Sequence, residues 1–455
     1  MPTSLLWFRR DLRLSDHPAL LAAIDAADRN GAVLPLFVLD PRLWTPAGAP
    51  RRQFLLDCLT ALRESTNRAL VVRSGDPATV VPDVVREVQA GSVHVSADAG
   101  PYGRRRDAAV EKALADVPLI RTGSPYAVTP GRVRKTDGSP FRVFTPFARA
   151  WRAHGWRAPA APANDVRWLT GVASDALPGP QETSARLPPA GEEPALVTWE
   201  RFRDERLHGY AEGRNVPGTD GTSRLSAYLK YGCLHPRTLL ADLADGQDRE
   251  AVRRFTDELA WRDFYADVLW HRPETAHEPF DPRMRGMEYD RGPDADDRFA
   301  AWAEGRTGYP IVDAGMRQLR GEAWVHNRVR MIVASFLVKD LHLDWWRGAR
   351  HFLRHLVDGD LASNNHGWQW VAGTGTDASP YYRVFNPTRQ GQQFDPDGEY
   401  VRRWVPELRD VPPRYVHEPW LAPGGVPAGY PEPIVEHAHE RQVALARYQE
   451  VRAGA

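Results

Sequence analysis

The chain has 455 residues, more than one ordinary domain, so two or three compact units are expected. Lys+Arg and Asp+Glu balance at 59 each, which excludes a global basic field, and any nucleic-acid site must be a local patch. With 42% hydrophobic and 26% charged residues, the composition is that of a soluble globular protein. The longest apolar run, MIVASFLV at 331–338, is far below a bilayer span.

The N-terminal stretch MPTSLLWFRRDLRLSD is too short in its apolar part for a signal peptide, and a cytoplasmic protein is expected. The next elements alternate. SLLWF (4–8), VLPLFVLD (33–40), ALVVR (69–73) and SVHVS (92–96) are short β-rich runs. Helix-length stretches separate them at Pro18 to Arg29, Arg51 to Arg63 and Val80 to Gln89. This spacing predicts βαβ units and a mostly parallel, Rossmann-like sheet. No G-x-G-x-x-G follows the first strand, so the usual dinucleotide device is absent. Cys58 and Cys233 lie far apart in sequence, which argues against a disulfide framework or a cysteine metal site and fits a reducing compartment.

Residues 158–195 are rich in Pro, Ala and Gly and read as a long connector. Beyond it helical periodicity takes over. The expected organisation is an α/β domain over 1–130, a linker over 131–195 and a helical domain over 196–455.

Three segments of the helical part carry polar patterns that a core does not need. In GTDGTSRLSAYLKYG (218–232), the hydroxyls of Thr222, Ser223 and Ser226 are placed to cap a helix whose free N–H groups suit a phosphate. In DELAWRDFYADVLW (257–270), Glu258, Trp261, Arg262 and Tyr265 share one helical face, while Leu259, Phe264 and Val268 face away from it. In WVHNRVRMIVASFLVKD (324–340), Val325, Val329, Ile332, Val333 and Phe336 form an apolar stripe, and Trp324, Asn327, Arg328 and Met331 form the opposite face. An indole, an amide and a thioether among arginines suit contact with bases and phosphates. His326 reads as a hydrogen-bonded core histidine. The stretch DGDLASNNHGWQW (358–370) then gathers two acids, two adjacent amides and two indoles.

In chain order, WFRRDLRLSDHPAL, GTSRLSAYLKYG, ELAWRDFY, TGYPIVDAGMRQL, WVHNRVRMIVASFLVKDL, DGDLASNNHGWQW and GTDASPYYRVFNP closely resemble the cryptochrome/photolyase family. Within it they resemble the class I cyclobutane pyrimidine dimer photolyases, in which an α/β antenna domain is joined by a long connector to a helical flavin domain. The resemblance implies light-driven repair of pyrimidine dimers in UV-damaged DNA by a monomeric lyase carrying reduced FAD. Tyr210, Thr222, Ser223, Arg224, Leu225, Ser226 and Arg262 match positions holding the phosphates and ribose of FAD. Asn327, Arg330, Asp358, Asp360 and Asn364 match those around its isoalloxazine.

For the lesion, Trp261 and Trp370 match pocket walls, Glu258 and Asn327 match groups bonding the pyrimidine edges, and Met331 matches a ring contact. Arg214, Arg328 and Arg383 match arginines that contact phosphate or lesion, and Arg262 and Tyr265 share the DNA-facing side. A (6-4) photolyase would carry paired histidines where this chain has Asn327 and Met331, and many cryptochromes replace the amide equivalent to Asn364. Trp368 and Trp345 match the first two members of a photoreduction chain. The third would fall at Gly292, so either Tyr289 or another aromatic substitutes, or the chain is shorter. DAGPYGRRRD (98–107) resembles relatives whose antenna is an 8-hydroxy-5-deazaflavin, with methenyltetrahydrofolate as the alternative. A plain solvated basic cluster at Arg104 to Arg106 is the other reading. No metal is implied.

Overall fold

A computed structural model of the chain describes residues 3–28, 30–244, 248–376 and 382–453. Of the motif GTDASPYYRVFNP, residues 377–381 lie outside the described residues. By density of internal contacts the chain forms two compact units. The first comprises Met1–Thr183, Pro188–Leu207 and Ser223–Pro273, and the second Ser184–Leu187, His208–Thr222 and Glu274–Ala455.

The first unit is built on a parallel sheet of β1 (Thr3–Phe8), β2 (Ala32–Leu39), β3 (Val71–Ser74), β4 (Ala90–Val95) and β5 (Leu119–Arg121) in the order β3-β2-β1-β4-β5. Every residue of β2 is buried, as is nearly every residue of β1. A parallel strand covered on both faces has no solvent side to mark with polar residues, hence the continuous apolar runs. The helices Pro18–Ala27, Ala49–Ser65 and Pro77–Val88 fall where spacing placed them. The sequence reading omitted β5, which has three residues with two of them exposed; it carries too little apolar pattern to be seen.

Residues 158–191 of the connector form no helix, yet part of this stretch lies along the sheet. Val33 N–H donates to the Arg167 carbonyl and Leu169 N–H to the Val33 carbonyl, each at 2.9 Å, and Leu169 and Val172 pack on the sheet core. Cys58 and Cys233, 175 positions apart, meet with their sulfurs 3.5 Å apart as free, buried thiols.

The second unit is helical. Its core gathers around Trp302, Met316, Val329, Val333, Phe336, Phe352 and Tyr400. The helices Pro310–Glu322 and Asn327–Lys339 approach closely at Gly315, where a Cβ would come within 2.5 Å of a Val329 methyl. The second of these starts later than its apolar stripe suggested. His326 is its N-cap, accepting from Arg328 N–H through Nδ1 at 3.2 Å, so Trp324 lies before the helix rather than on its face. A side-chain acceptor at the cap ends the periodic pattern two residues into the run.

Candidate functional site

The helix Arg249–His271 of the first unit carries four predicted residues. Glu258, Trp261, Arg262 and Tyr265 are half-buried, while Leu259, Phe264 and Val268 are buried, as the periodicity requires. Trp261 is stacked face to face on Phe144, with centroids 3.7 Å apart and planes 6° off parallel, and its ring also meets Tyr265 at 5.2 Å. Phe144 escaped the sequence reading because it opens a distant helix, Phe144–His154, that was not singled out there. The Arg262 guanidinium donates to the carbonyls of Pro125 (2.7 Å) and Leu229 (3.0 Å) and lies 4.5 Å from the Tyr126 ring centroid. It therefore anchors the helix Ser226–Tyr231 that follows the 222–225 segment.

That segment does not cap as expected. The helix Ser226–Tyr231 has Leu225 as its N-cap, with no side-chain cap bond. The chain enters through Arg224 in the left-handed region, at φ 52°, so Leu225 rather than a hydroxyl residue occupies the cap. The Ser226 Oγ is left buried without a hydrogen-bond partner among the described residues. A buried hydroxyl of this kind costs about 1–3 kcal/mol unless something bonds it.

In the second unit the predicted acids and amides come together at the start of the helix Leu361–Ala372. Asp360 is its N-cap and accepts from Ser363 N–H at 3.1 Å. Asp358 is buried, and one of its oxygens accepts from Arg330 Nη2 at 2.8 Å. Its other oxygen is buried and has no hydrogen-bond partner among the described residues. Arg330 is itself pinned by an Nε bond to the Val325 carbonyl at 2.7 Å. Asn364 donates its amide to the Ala349 carbonyl (3.1 Å) and to Asn365 Oδ1 (2.9 Å). Both amide protons are thus engaged, which leaves its oxygen as the free acceptor.

The neighbours in this stretch are structural. Asn365 Nδ2 donates to the Ala276 carbonyl at 2.6 Å, and Gln369 Nε2 donates to the carbonyls of Thr275 and Glu278. The Thr275 hydroxyl bonds His366 Nε2 at 2.9 Å, and His366 Nδ1 bonds the Ala362 carbonyl at 2.8 Å. Burial lowers the His366 pKa to about 4, so the ring stays neutral at pH 7.

On the helix Asn327–Lys339, Asn327 is exposed and its Nδ2 lies 4.0 Å from the sulfur of half-buried Met331. Arg328 donates to Asn215 Oδ1 at 2.8 Å and lies over the Phe394 ring at 4.4 Å. Its pKa is lowered by burial and then by Arg214 and Arg383. The three arginines assigned to DNA contact thus share one positive field. Arg214 also lies over the Tyr210 ring at 5.6 Å. Asn215, unmarked in the sequence, positions the middle member.

Trp345 and Trp368 are both buried in the helical core, and half-buried Trp370 packs against it. Trp368 meets Trp302 edge-on at 6.1 Å and Phe352 at 5.1 Å; Trp345 meets Trp346 at 5.8 Å. Gly292 is the N-cap of the helix Pro293–Glu304 and offers no ring. Tyr289 packs on the core, and burial holds its hydroxyl pKa well above the ordinary value.

In the sheet unit, Arg104 to Arg106 are not a uniform solvated cluster. Arg106 is buried between Asp107 (2.8 Å) and Asp98 (3.2 Å), Arg104 lies 3.9 Å over the Trp270 ring, and Arg105 is exposed.

The Ser226 hydroxyl and one Asp358 oxygen, each buried and without a partner among the described residues, stand at positions expected to touch FAD, and each fits contact with a hydrogen-bonding group of a ligand. Comparison with known proteins agrees. Residues 4–164 match the DNA photolyase family model, and residues 255–450 match the model for the FAD binding domain of DNA photolyase. The chain is 41% identical to the deoxyribodipyrimidine photo-lyase of Salmonella typhimurium across 100% of both chains. Among solved structures it is similar to a bacterial class III photolyase from Agrobacterium tumefaciens, with 38% identity, a TM-score of 0.92, and 100% and 98% of the two chains covered. It is also similar to an archaeal photolyase from Sulfolobus tokodaii that holds two FAD molecules, with 30% identity, a TM-score of 0.87, and 98% and 100% covered. A parallel-sheet unit, a helical unit and likeness along the whole chain lead to one conclusion: the chain belongs to the DNA photolyase family.

Proposed function

We propose that this protein is a deoxyribodipyrimidine photo-lyase acting on cyclobutane pyrimidine dimers in UV-damaged DNA. The observation that carries the reading is the buried Asp358 carboxylate, half satisfied by Arg330, in a chain alike over its full length to enzymes of that name. Reduced FAD, when bound, supplies the light-driven electron transfer that opens the cyclobutane ring and takes the electron back afterwards.

In this reading the chain's own residues bind, orient and shield. Ser226 donates to a phosphate with its spare hydroxyl, and Tyr210 and residues 222–225 line the same part of the cofactor. Arg330 and Asp358 hold the flavin ring in place, and Asn364 accepts from a ring N–H, the one role its engaged amide leaves open. Trp261 and Trp370 flank the flipped dimer, Glu258 and Asn327 bond its edges, and Met331 touches its ring. Asn327 and Met331 cannot move a proton, which favours dimer splitting over repair of a (6-4) lesion. Arg214, Arg328 and Arg383 hold the phosphates around it.

The antenna is assigned to an 8-hydroxy-5-deazaflavin rather than methenyltetrahydrofolate, on the Pro101-Tyr102-Gly103-Arg104 run. The buried Arg106 is consumed by its two aspartates and is not the ligand-binding member. The related Sulfolobus tokodaii structure supports a second cofactor of some kind. Action as a cytoplasmic monomer completes the reading. Among the described residues no helix is long and apolar enough to cross a membrane.

The test is illumination of the reduced holoprotein with an oligonucleotide carrying one thymine dimer. Light-dependent disappearance of the dimer, absent in the dark, is expected; its persistence under illumination refutes the assignment. The absorption spectrum of protein made in its native host tests the antenna, since a folate-type near-ultraviolet band contradicts the deazaflavin.

A further inference from the structure

Within the second unit, an open cleft of about 530 Å³ lies between the N-terminal end of the helix Pro293–Glu304 and the helix Trp345–His355. Its size is that of a small-molecule site. None of the flavin, lesion or DNA residues assigned above lines it.

The charge of its walls is unbalanced. Two of its three carboxylates are already neutralised: Asp290 by Arg298 and Arg447, each at 2.8 Å, and Asp296 by Arg347 at 2.8 Å. The third, Asp344, caps the helix through Trp346 N–H at 3.0 Å. Arg291, Arg350 and Arg354 also line the cleft and have no ion pair or hydrogen bond among the described residues. His351 and His355 lie beside them with ring centroids 4.1 Å apart, and His351 Nε2 is buried without a partner. Burial lowers the His351 pKa to about 3, with His355, Arg354 and Arg320 adding to it. Asp344 offsets part of the charge of Arg291. Arg350 and Arg354 keep an excess of positive charge in a concave site, and an anion relieves it.

The remaining wall is aromatic. Arg347 already covers Phe299, at 4.0 Å from the ring centroid. Trp346 and Tyr289 line the cleft together with these arginines. Free guanidiniums beside an indole match a ligand with a phosphate at one end and a planar ring at the other.

We propose that this cleft binds a nucleotide, with its phosphates among Arg291, Arg350 and Arg354 and its base against Trp346. The test uses the FAD-loaded full-length protein, so that the flavin site cannot take up the probe. Isothermal titration with adenosine 5′-diphosphate, inorganic pyrophosphate and adenosine separates the two ends of the ligand. Saturable binding of the diphosphate is expected, weaker binding of pyrophosphate, and the weakest binding of adenosine.

R350A/R354A should weaken the diphosphate by about tenfold or more, and R350K/R354K should restore most of it. W346L should bring the diphosphate down to the affinity of pyrophosphate. Flavin content and far-ultraviolet circular dichroism confirm that each variant is folded. Three results overturn the proposal: no saturable heat at millimolar diphosphate, binding unchanged in R350A/R354A, or pyrophosphate binding as tightly as the diphosphate. Displacement of the probe by an undamaged oligonucleotide would also overturn it, since the cleft would then belong to a DNA surface.

Discussion

Replacing Gly348 by alanine tests whether the helix Trp345–His355 sets the position of Trp368. An ideal Cβ at Gly348 lies 2.2 Å from Trp368 Cη2, 2.4 Å from Cζ3 and 2.5 Å from Leu337 Cδ2. Carbon atoms pack at about 3.5–4.0 Å, so the indole must retreat by roughly 1.3 Å or more. Trp302, with its centroid at 6.1 Å, and Phe352, at 5.1 Å, also crowd the ring. Overpacking of this kind costs about 1–3 kcal/mol, and the better helix propensity of alanine returns up to about 1 kcal/mol. The expected net loss is about 1–2 kcal/mol, a fall in melting temperature of about 2–8 °C for a unit of this size. Thermal unfolding followed by circular dichroism measures it, and the near-ultraviolet tryptophan bands should change with the ring's position. Because Trp368 is assigned to electron transfer, blue-light photoreduction of oxidised flavin should slow as well. A variant with wild-type melting and unchanged near-ultraviolet bands would refute the reasoning, because the indole would then have somewhere to go.

Arg330→Ala removes the partner that the buried Asp358 carboxylate has among the described residues. Urea unfolding should show a loss of about 2–4 kcal/mol, and the purified protein should carry less flavin by its visible absorbance. Phe144→Ala removes the face that Trp261 stacks on, an interaction worth about 0.5–1.5 kcal/mol. Fluorescence anisotropy should show weaker binding of dimer-containing DNA with undamaged DNA unaffected, and equal loss for both would contradict the lesion role.

Asp263 is fully buried, and burial raises its pKa to about 6 from 3.8 although it accepts from Val128 N–H and Trp151 Nε1, both at 2.9 Å. Between those values the folded state binds the extra proton, so this group's contribution to stability falls as pH rises from about 4 to 6. The whole shift is worth about 3 kcal/mol. Asp263→Asn keeps the two accepted bonds and should lose that slope. Unfolding at pH 4.5 and pH 7 reads it, and parallel profiles for the two proteins would be the contrary result.

The alternation of strands and helices in the first 125 residues was legible because a parallel sheet buried on both faces writes continuous apolar runs. The face of the helix Arg249–His271 was legible because half-buried and buried positions repeat at the helical period. The family could be read from motifs in chain order, and the flavin and lesion residues followed from that likeness rather than from spacing.

Other features depend on contacts between distant segments and leave no local pattern. Phe144 meets Trp261 across 117 positions, Asn215 holds Arg328 across 113, and Cys58 meets Cys233 across 175. Whether a hydroxyl caps a helix or is left buried for a ligand was settled by the left-handed turn at Arg224. Residue identity determines which chemistry is on offer. The tertiary structure alone decides which donors and acceptors are already used and which, like the Asn364 oxygen or the second Asp358 oxygen, remain for something else to bond.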